Sequence, residues 1–164
     1  MKQYFVMVAV GIAALLIGWL LLRNTDEQRI REVFDQVAIT IRKKGTESPF
    51  DQLAKAKSLA RHVAPRLTIE GFGNSHTFSV DAADLTQRIV LMRREAQLLR
   101  VVFDQLTVTV TGDGTAQVFC NVTGSGFRGW DTANDAYALT ATLAKNDSGD
   151  WQFVVLHFAP LIPR

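Results

Sequence analysis

The residue with the clearest capacity for chemistry is His157, which lies near the end of the almost entirely apolar stretch Asp150–Pro160. Its imidazole could donate or accept a hydrogen bond, or carry a proton near neutral pH. If the stretch is a strand, strict alternation places His157 on the same side as Trp151 and Phe153. Two roles fit this position: a polar group that contacts a ligand, or a partly buried imidazole with partners inside the protein. The second is the commoner case for buried polar groups.

The other reactive side chains form no recognisable catalytic or metal-binding set. Glu70 is expected at the exposed end of a short strand, and Asp84 in the first turn of a helix, where the helix dipole favours a carboxylate. His62 and His76 are not spaced as metal ligands, and the sequence has neither an H-x-x-x-H nor a C-x-x-C motif. The single Cys120 falls on the apolar side of an alternating segment, as a small core residue does. We therefore predict no catalytic residue, no metal and no cofactor, which favours a non-catalytic protein without deciding the question.

Three amphipathic helices must position these residues. The first is expected at residues 26–44, between a capping-box pattern and a terminating glycine. The second begins at Ser48-Pro49 and continues towards His62, and the third begins at Asp81. The apolar stripe of the third helix consists of Leu85, Ile89, Met92, Ala96 and Leu99.

Strands account for most of the remaining chain. A short strand pair is expected between the second and third helices. After the third helix, apolar residues recur at every second position instead of with the helical period of 3.6 residues. The predicted strands are 66–70, 76–80, 106–110, 116–122, 137–143 and 151–159. Helices segregated from an antiparallel meander are typical of an α+β fold. We expect three helices packed on a curved, four- to six-stranded, mainly antiparallel sheet.

The closing hairpin, Lys145-Asn-Asp-Ser-Gly-Asp-Trp-Gln-Phe-Val-Val-Leu-His157, together with the order of elements, resembles the nuclear transport factor 2-like superfamily. The shared pattern is a lysine, a glycine turn, a tryptophan and a histidine six positions later. Steroid-isomerase-like, polyketide-cyclase-like (SnoaL-like) and calcium/calmodulin-dependent kinase association domains have this hairpin. The resemblance implies that residues 26–160 form a cone with a pocket between sheet and helices. The side chains then expected to line the pocket are His157, Trp151, Phe153, Tyr137, Phe34 and Met92.

The resemblance does not extend to isomerase chemistry. Steroid-isomerase-like members use a carboxylate base with acidic donors, which typically include a tyrosine on the first helix. Here the inward stripe of that helix has no such donor, since it consists of Ile30, Val33, Phe34, Val37, Ala38 and Ile41. The superfamily hosts enzymes, carriers and scaffolds alike, so the fold does not by itself assign a function.

Residues 4–22 form an unbroken run of 19 residues without charge, long enough to span a hydrocarbon core of roughly 30 Å. No small-x-small cleavage site precedes Arg23, so we expect a retained signal anchor rather than a cleaved signal peptide. The predicted segments are a short tail at 1–3, the transmembrane signal anchor at 4–22, a juxtamembrane link at 23–25, the domain at 26–160 and a tail at 161–164. The small residues Gly11, Ala14 and Gly18 share one helix face and could pack against another transmembrane helix.

The orientation of the anchor has two readings. A three-residue basic leader before a long apolar run is typical of a signal anchor, which predicts a bacterial inner-membrane protein with a periplasmic C-terminal domain. A count of the positive charges that follow the span, Arg23, Arg29 and Arg31, favours a cytoplasmic domain instead.

The charge balance narrows the choice of partners. The chain has 18 basic and 16 acidic residues, and two of the basic ones, Lys2 and Arg23, flank the anchor, which leaves a neutral domain. This argues against nucleic acid as a partner. The expected partners are the bilayer through residues 4–22, a small apolar ligand, and a protein or second copy at the flat face of Thr107, Thr109, Thr140 and Thr142. We hypothesise a membrane-tethered, non-catalytic binding or interaction domain that scaffolds or binds a ligand in a bacterial cell envelope. The alternative is a small-molecule carrier or enzyme that uses the apolar pocket with His157 as its polar group.

Overall fold

A computed structural model describes residues 26–72, 76–126 and 136–161, without the side chains of Phe72 and His76. The predicted anchor at 4–22, with Gly11, Ala14 and Gly18, lies outside these ranges. Among the described residues, no helix has both the length and the apolar character needed to cross a membrane.

The described chain contains three helices and seven strands. The first helix, α1, is described from residue 26 to residue 41. The other helices are α2 (Pro49–Arg61) and α3 (Ala82–Glu95). The strands are β1 (Lys43–Lys44), β2 (Val63–Phe72), β3 (His76–Asp81), β4 (Leu98–Val110), β5 (Thr115–Ser125), β6 (Ala136–Lys145) and β7 (Trp151–Pro160).

All seven strands form one mixed sheet in the order β1-β4-β5-β6-β7-β2-β3. The predicted meander is confirmed, because β4, β5, β6 and β7 pair antiparallel with their neighbours in sequence. The strand pair β2 and β3 extends this sheet, since β2 runs parallel to β7. The α+β class is therefore correct, but the predicted four to six strands are too few.

Two predicted helix boundaries are wrong for the same reason. The first helix was expected to reach residue 44, but Lys43 and Lys44 are extended and pair with Leu99 and Leu98 as strand β1. The third helix was expected to include Leu99, which instead lies fully buried in β4. The pairing of β1 with the start of β4 thus replaces the predicted ends of two helices. Helical periodicity does not reveal this pairing, because the two segments are distant in sequence.

Strand β4 also begins earlier than predicted. Its pairing with β5 shifts register between Asp104 and Thr107, and Gln105 within the shift has a left-handed φ of 57°. A bulge of this kind interrupts the alternation of side chains. The alternation of apolar and polar residues can therefore be recognised only after the bulge, which is where the strand was predicted to start.

A buried polar cluster, the arginine clamp, fixes the end of α1 against α3. The fully buried guanidinium of Arg93 donates to both carboxylate oxygens of Glu47, at 3.0 and 2.6 Å. Buried Lys43 donates to the carbonyl oxygens of Arg93 and Ala96. Further acceptors of the Arg93 guanidinium are the carbonyl oxygens of Thr40, Ile41 and Arg42. The clamp satisfies backbone acceptors that a helix end leaves without partners.

The apolar core lies between α1 and the sheet. Ile30 and Phe34 of α1 are fully or almost fully buried against it. The Phe34 ring meets the rings of Phe103 and Phe153 edge-on, with centroids 5.0 and 5.1 Å apart, which is a favoured aromatic geometry. A second, smaller cluster joins α2 to α3 through Ala56, Leu59 and Ile89.

Candidate functional site

A bulge in β7 decides which side chains of this strand face the helices. Leu143 of β6 pairs with Phe153, whereas the preceding Thr142 pairs with Val155, so Val154 is an extra residue. An extra residue reverses the facing of every side chain beyond it. Trp151 and Phe153 face the core before the bulge, and Leu156 and Phe158 face it afterwards.

His157 consequently lies on the outer face of the sheet. It pairs with Thr140 on one side and with Glu70 on the other, and its side chain is 52% exposed. Its Nδ1 lies 3.3 Å from a carboxylate oxygen of Glu70, an ion pair when the imidazole is protonated. The expectation that His157 lines the pocket is not met, because it assumed strict alternation along β7.

We expect His157→Ala to change the free energy of unfolding by less than about 1 kcal/mol, because exposed ion pairs contribute little. Urea unfolding of wild type and variant measures this change in free energy. The control is Leu156→Ala, one residue earlier and facing the core, which should be the more destabilising change. A larger loss for His157→Ala than for Leu156→Ala would contradict this placement.

A cavity of about 280 Å³ lies between the sheet and the three helices. Of the side chains predicted to line it, Phe34, Met92 and Phe153 do so. Trp151 is buried outside the lining, with its indole Nε1 donating to Asp26 at 3.4 Å. Tyr137 is half-buried outside the lining, with its ring edge-on to Phe158.

All seventeen residues described as lining the cavity are apolar, and none is exposed. They are Phe34, Val37, Ile41, Leu59, Val63, Leu67, Ile69, Leu85, Ile89, Met92, Val101, Phe103, Val122, Leu139, Phe153, Leu156 and Phe158. The described lining therefore holds no group that could transfer a proton, act as a nucleophile or stabilise a developing charge.

The thiol and the carboxylates considered in the sequence do not supply such a group. Burial, with the nearby charge of Asp104, raises the pKa of the Cys120 thiol to about 12, so the thiol stays protonated and unreactive at neutral pH. Glu70 faces outward with His157, and Asp84 is exposed in the first turn of α3. Within the described ranges, no three acidic, histidine or cysteine side chains are grouped as a metal site.

No protein-family model matches the sequence, and no curated protein matches it. Solved structures do match the fold. A nuclear transport factor 2-like protein with a cystatin-like fold from Novosphingobium aromaticivorans is 18% identical with a TM-score of 0.64, and the match covers 90% of each chain. A nuclear transport factor 2-like protein from Cytophaga hutchinsonii is 14% identical with a TM-score of 0.59, covering 85% of this chain and 98% of that one.

A candidate dehydratase of the same family from Streptomyces avermitilis is 14% identical with a TM-score of 0.60, covering 86% of this chain and 99% of that one. At these identities the likeness is one of fold alone. The chain shares the α+β cone fold of these solved structures, which is the fold that the resemblance of the closing hairpin implied.

Proposed function

We propose that this chain is a membrane-tethered, non-catalytic binding domain whose cavity holds a small apolar ligand, as part of a bacterial cell envelope. The observation that carries the proposal is the cavity of about 280 Å³, because every described residue that lines it is apolar. Protein interiors are close-packed, with few voids larger than a water molecule. Apolar cavities of such size stay dry and accept apolar molecules. An apolar ligand would restore the contacts that the lining side chains lack.

The composition of the lining also supports binding rather than reaction. The Streptomyces avermitilis protein is a candidate dehydratase, and acid–base chemistry of that kind needs a polar group beside the substrate. The described lining offers none, and His157 lies on the opposite face of the sheet. We therefore favour a binding role over the alternative of an enzyme with His157 as its polar group.

The tether is proposed from the 19 uncharged residues at 4–22. Fusions of the C-terminus to alkaline phosphatase and to a green fluorescent protein test its orientation. Phosphatase activity without fluorescence would support a periplasmic domain, and fluorescence without phosphatase activity would overturn it. Recovery of the unfused chain in the soluble fraction would overturn the tether.

The outer face of the sheet is the surface that we propose for a second copy or a protein partner. Phe119 is half-exposed there, between Thr107 of β4 and Thr140 of β6. An exposed aromatic ring on a polar sheet face suits a modest interface.

We expect Val37→Phe to abolish ligand binding, because Val37 lines the cavity from α1 and a larger side chain would occupy the ligand's space. The probe is dodecanol carrying a photoreactive diazirine, added to the chain in phosphatidylcholine nanodiscs. Mass spectrometry of the labelled peptides should place adducts on cavity residues of the wild type, and Val37→Phe should reduce these adducts at least about tenfold.

The matched control is Ile39→Phe, because Ile39 lies two residues further along α1 with 65% of its surface exposed. Ile39→Phe should label like the wild type. Far-UV circular dichroism verifies that both variants fold. A folded Val37→Phe that is labelled as strongly as the wild type would overturn the proposed cavity binding.

A further inference from the structure

A second apolar space of about 350 Å³ adjoins the cavity. We call it the vestibule. The two spaces are adjacent, since six residues line both of them: Ile69, Leu85, Ile89, Met92, Leu156 and Phe158. The other residues that line the vestibule are Phe78, Val80 and Arg88.

The vestibule reaches the surface. Phe78 of β3 is 41% exposed and Arg88 of α3 is exposed. A ligand can therefore reach the cavity between α3 and the β2–β3 pair by displacing side chains of the shared wall. Met92 belongs to that wall, and its unbranched side chain adapts easily to a changed space.

Arg88 is the one polar side chain in the described lining of either space. It lies three residues after Leu85 and four before Met92, so all three occupy one face of α3. Among the described residues, Arg88 makes no hydrogen bond or ion pair, in contrast to Arg93 on the same helix, which is fully engaged in the arginine clamp. A free guanidinium at the rim of an apolar space is suited to a carboxylate or phosphate.

We propose that the ligand is a single-chain amphiphile with an anionic head, which binds Arg88, while its apolar tail passes through the vestibule into the cavity. This inference rests on the proposed function and specifies its ligand. Each buried methylene of the tail raises the affinity roughly fourfold. The charge-assisted contact of the head with Arg88 adds roughly tenfold and excludes cationic heads.

The test uses the 164-residue chain in phosphatidylcholine nanodiscs, with a dodecanoate that carries a diazirine near its methyl end. Adducts are expected on cavity residues such as Leu139. The competitors are dodecanoate, dodecyl phosphate, dodecanol and dodecyltrimethylammonium. We expect the anionic compounds to compete at concentrations roughly tenfold lower than dodecanol, and the cation to compete least. Comparing variants in identical nanodiscs cancels the partitioning of the probe into lipid.

Arg88→Gln should raise the half-saturating dodecanoate concentration roughly tenfold and leave competition by dodecanol unchanged. Arg88→Lys should retain much of the preference for anions. The matched control is Arg94→Gln, since Arg94 is an exposed arginine of the same helix outside both linings. Both dodecyl phosphate and dodecanoate have anionic heads, so a preference for either one supports the inference. The preferred compound shows whether the head group is a phosphate or a carboxylate.

Equal competition by all head groups, unaffected by Arg88→Gln, would overturn the anionic ligand and leave the apolar cavity site standing. Absence of cavity adducts from both the charged and the neutral probe would instead overturn the proposed function itself. The two failures are therefore distinguishable.

Discussion

Replacing Arg93 with methionine is expected to lower the free energy of unfolding of residues 24–164 by about 3–5 kcal/mol, because the change removes one partner of a buried ion pair and the donor of several buried carbonyl oxygens. Glu47, whose side chain is only 9% exposed, would lose both hydrogen bonds from the guanidinium and keep only its ion pair with Lys55. The last carbonyl oxygens of α1 would lose their donor as well. Urea unfolding followed by circular dichroism measures the loss.

The matched control is Arg94→Met, because Arg94 is the next residue of α3 and is exposed. It should change the free energy of unfolding by no more than about 0.5 kcal/mol. A loss below about 1 kcal/mol for Arg93→Met would contradict the structural importance of the clamp.

The clamp also makes stability depend on acidity. Burial raises the pKa of the Glu47 carboxyl, but hydrogen bonds and charges from Arg93 and Lys55 outweigh burial and hold that pKa below its ordinary value. The contribution of the ionised Glu47 to the free energy of unfolding is therefore fully present above the ordinary carboxyl pKa. It is lost as the pH falls through the lowered pKa of Glu47 in the folded protein. Glu47→Gln should remove this part of the acid dependence.

Gly126→Ala should cost about 3–4 kcal/mol of unfolding free energy, combining a left-handed backbone with a steric conflict. Gly126 follows β5 with a φ of 83°, and a Cβ atom there would lie 1.7 Å from the carbonyl oxygen of Leu98. The conflicting atom belongs to the backbone at the start of β4, so it cannot rotate away. Either β4 or the end of β5 must move.

Gly149→Ala separates the two contributions, since Gly149 has the same φ of 83° and nothing within 4 Å of its would-be Cβ. We expect it to cost only about 1–2 kcal/mol. Urea midpoints of the two variants give the difference directly. Equal losses would mean that backbone conformation alone accounts for Gly126.

The parts of the fold that could be predicted depend on local signals. Ser48 was expected to start the second helix, and its side chain does accept a hydrogen bond from the backbone of Asp51 at 3.1 Å. The meander followed from alternation along β5, β6 and the first half of β7. These signals arise from residues that are close in sequence, so they do not depend on contacts with distant segments.

The parts that could not be predicted depend on contacts between distant residues. Strand β1 exists because β4 lies beside it, and Arg93 is buried because Glu47 lies 46 residues earlier in the chain. Arg88 and Arg93 are both arginines of one amphipathic helix, and no periodicity distinguishes the fully buried one from the exposed one. The position of His157 was missed because a bulge has no reliable sequence signature.

That bulge has an evolutionary consequence. Side chains alternate regularly within each half of β7, and the single extra residue Val154 lies between the two halves. Deleting Val154 would leave every later side chain on its present face, because Val155 already pairs with Thr142. If Val154 were kept and paired with Thr142 instead, the bulge would disappear, and Leu156 and Phe158 would turn outward and His157 inward. An imidazole would then enter an apolar chamber without any amino-acid substitution. In this fold, the loss of one bulge through a one-residue shift in strand pairing is a shorter route between a binding protein and a candidate acid–base catalyst than a series of point mutations.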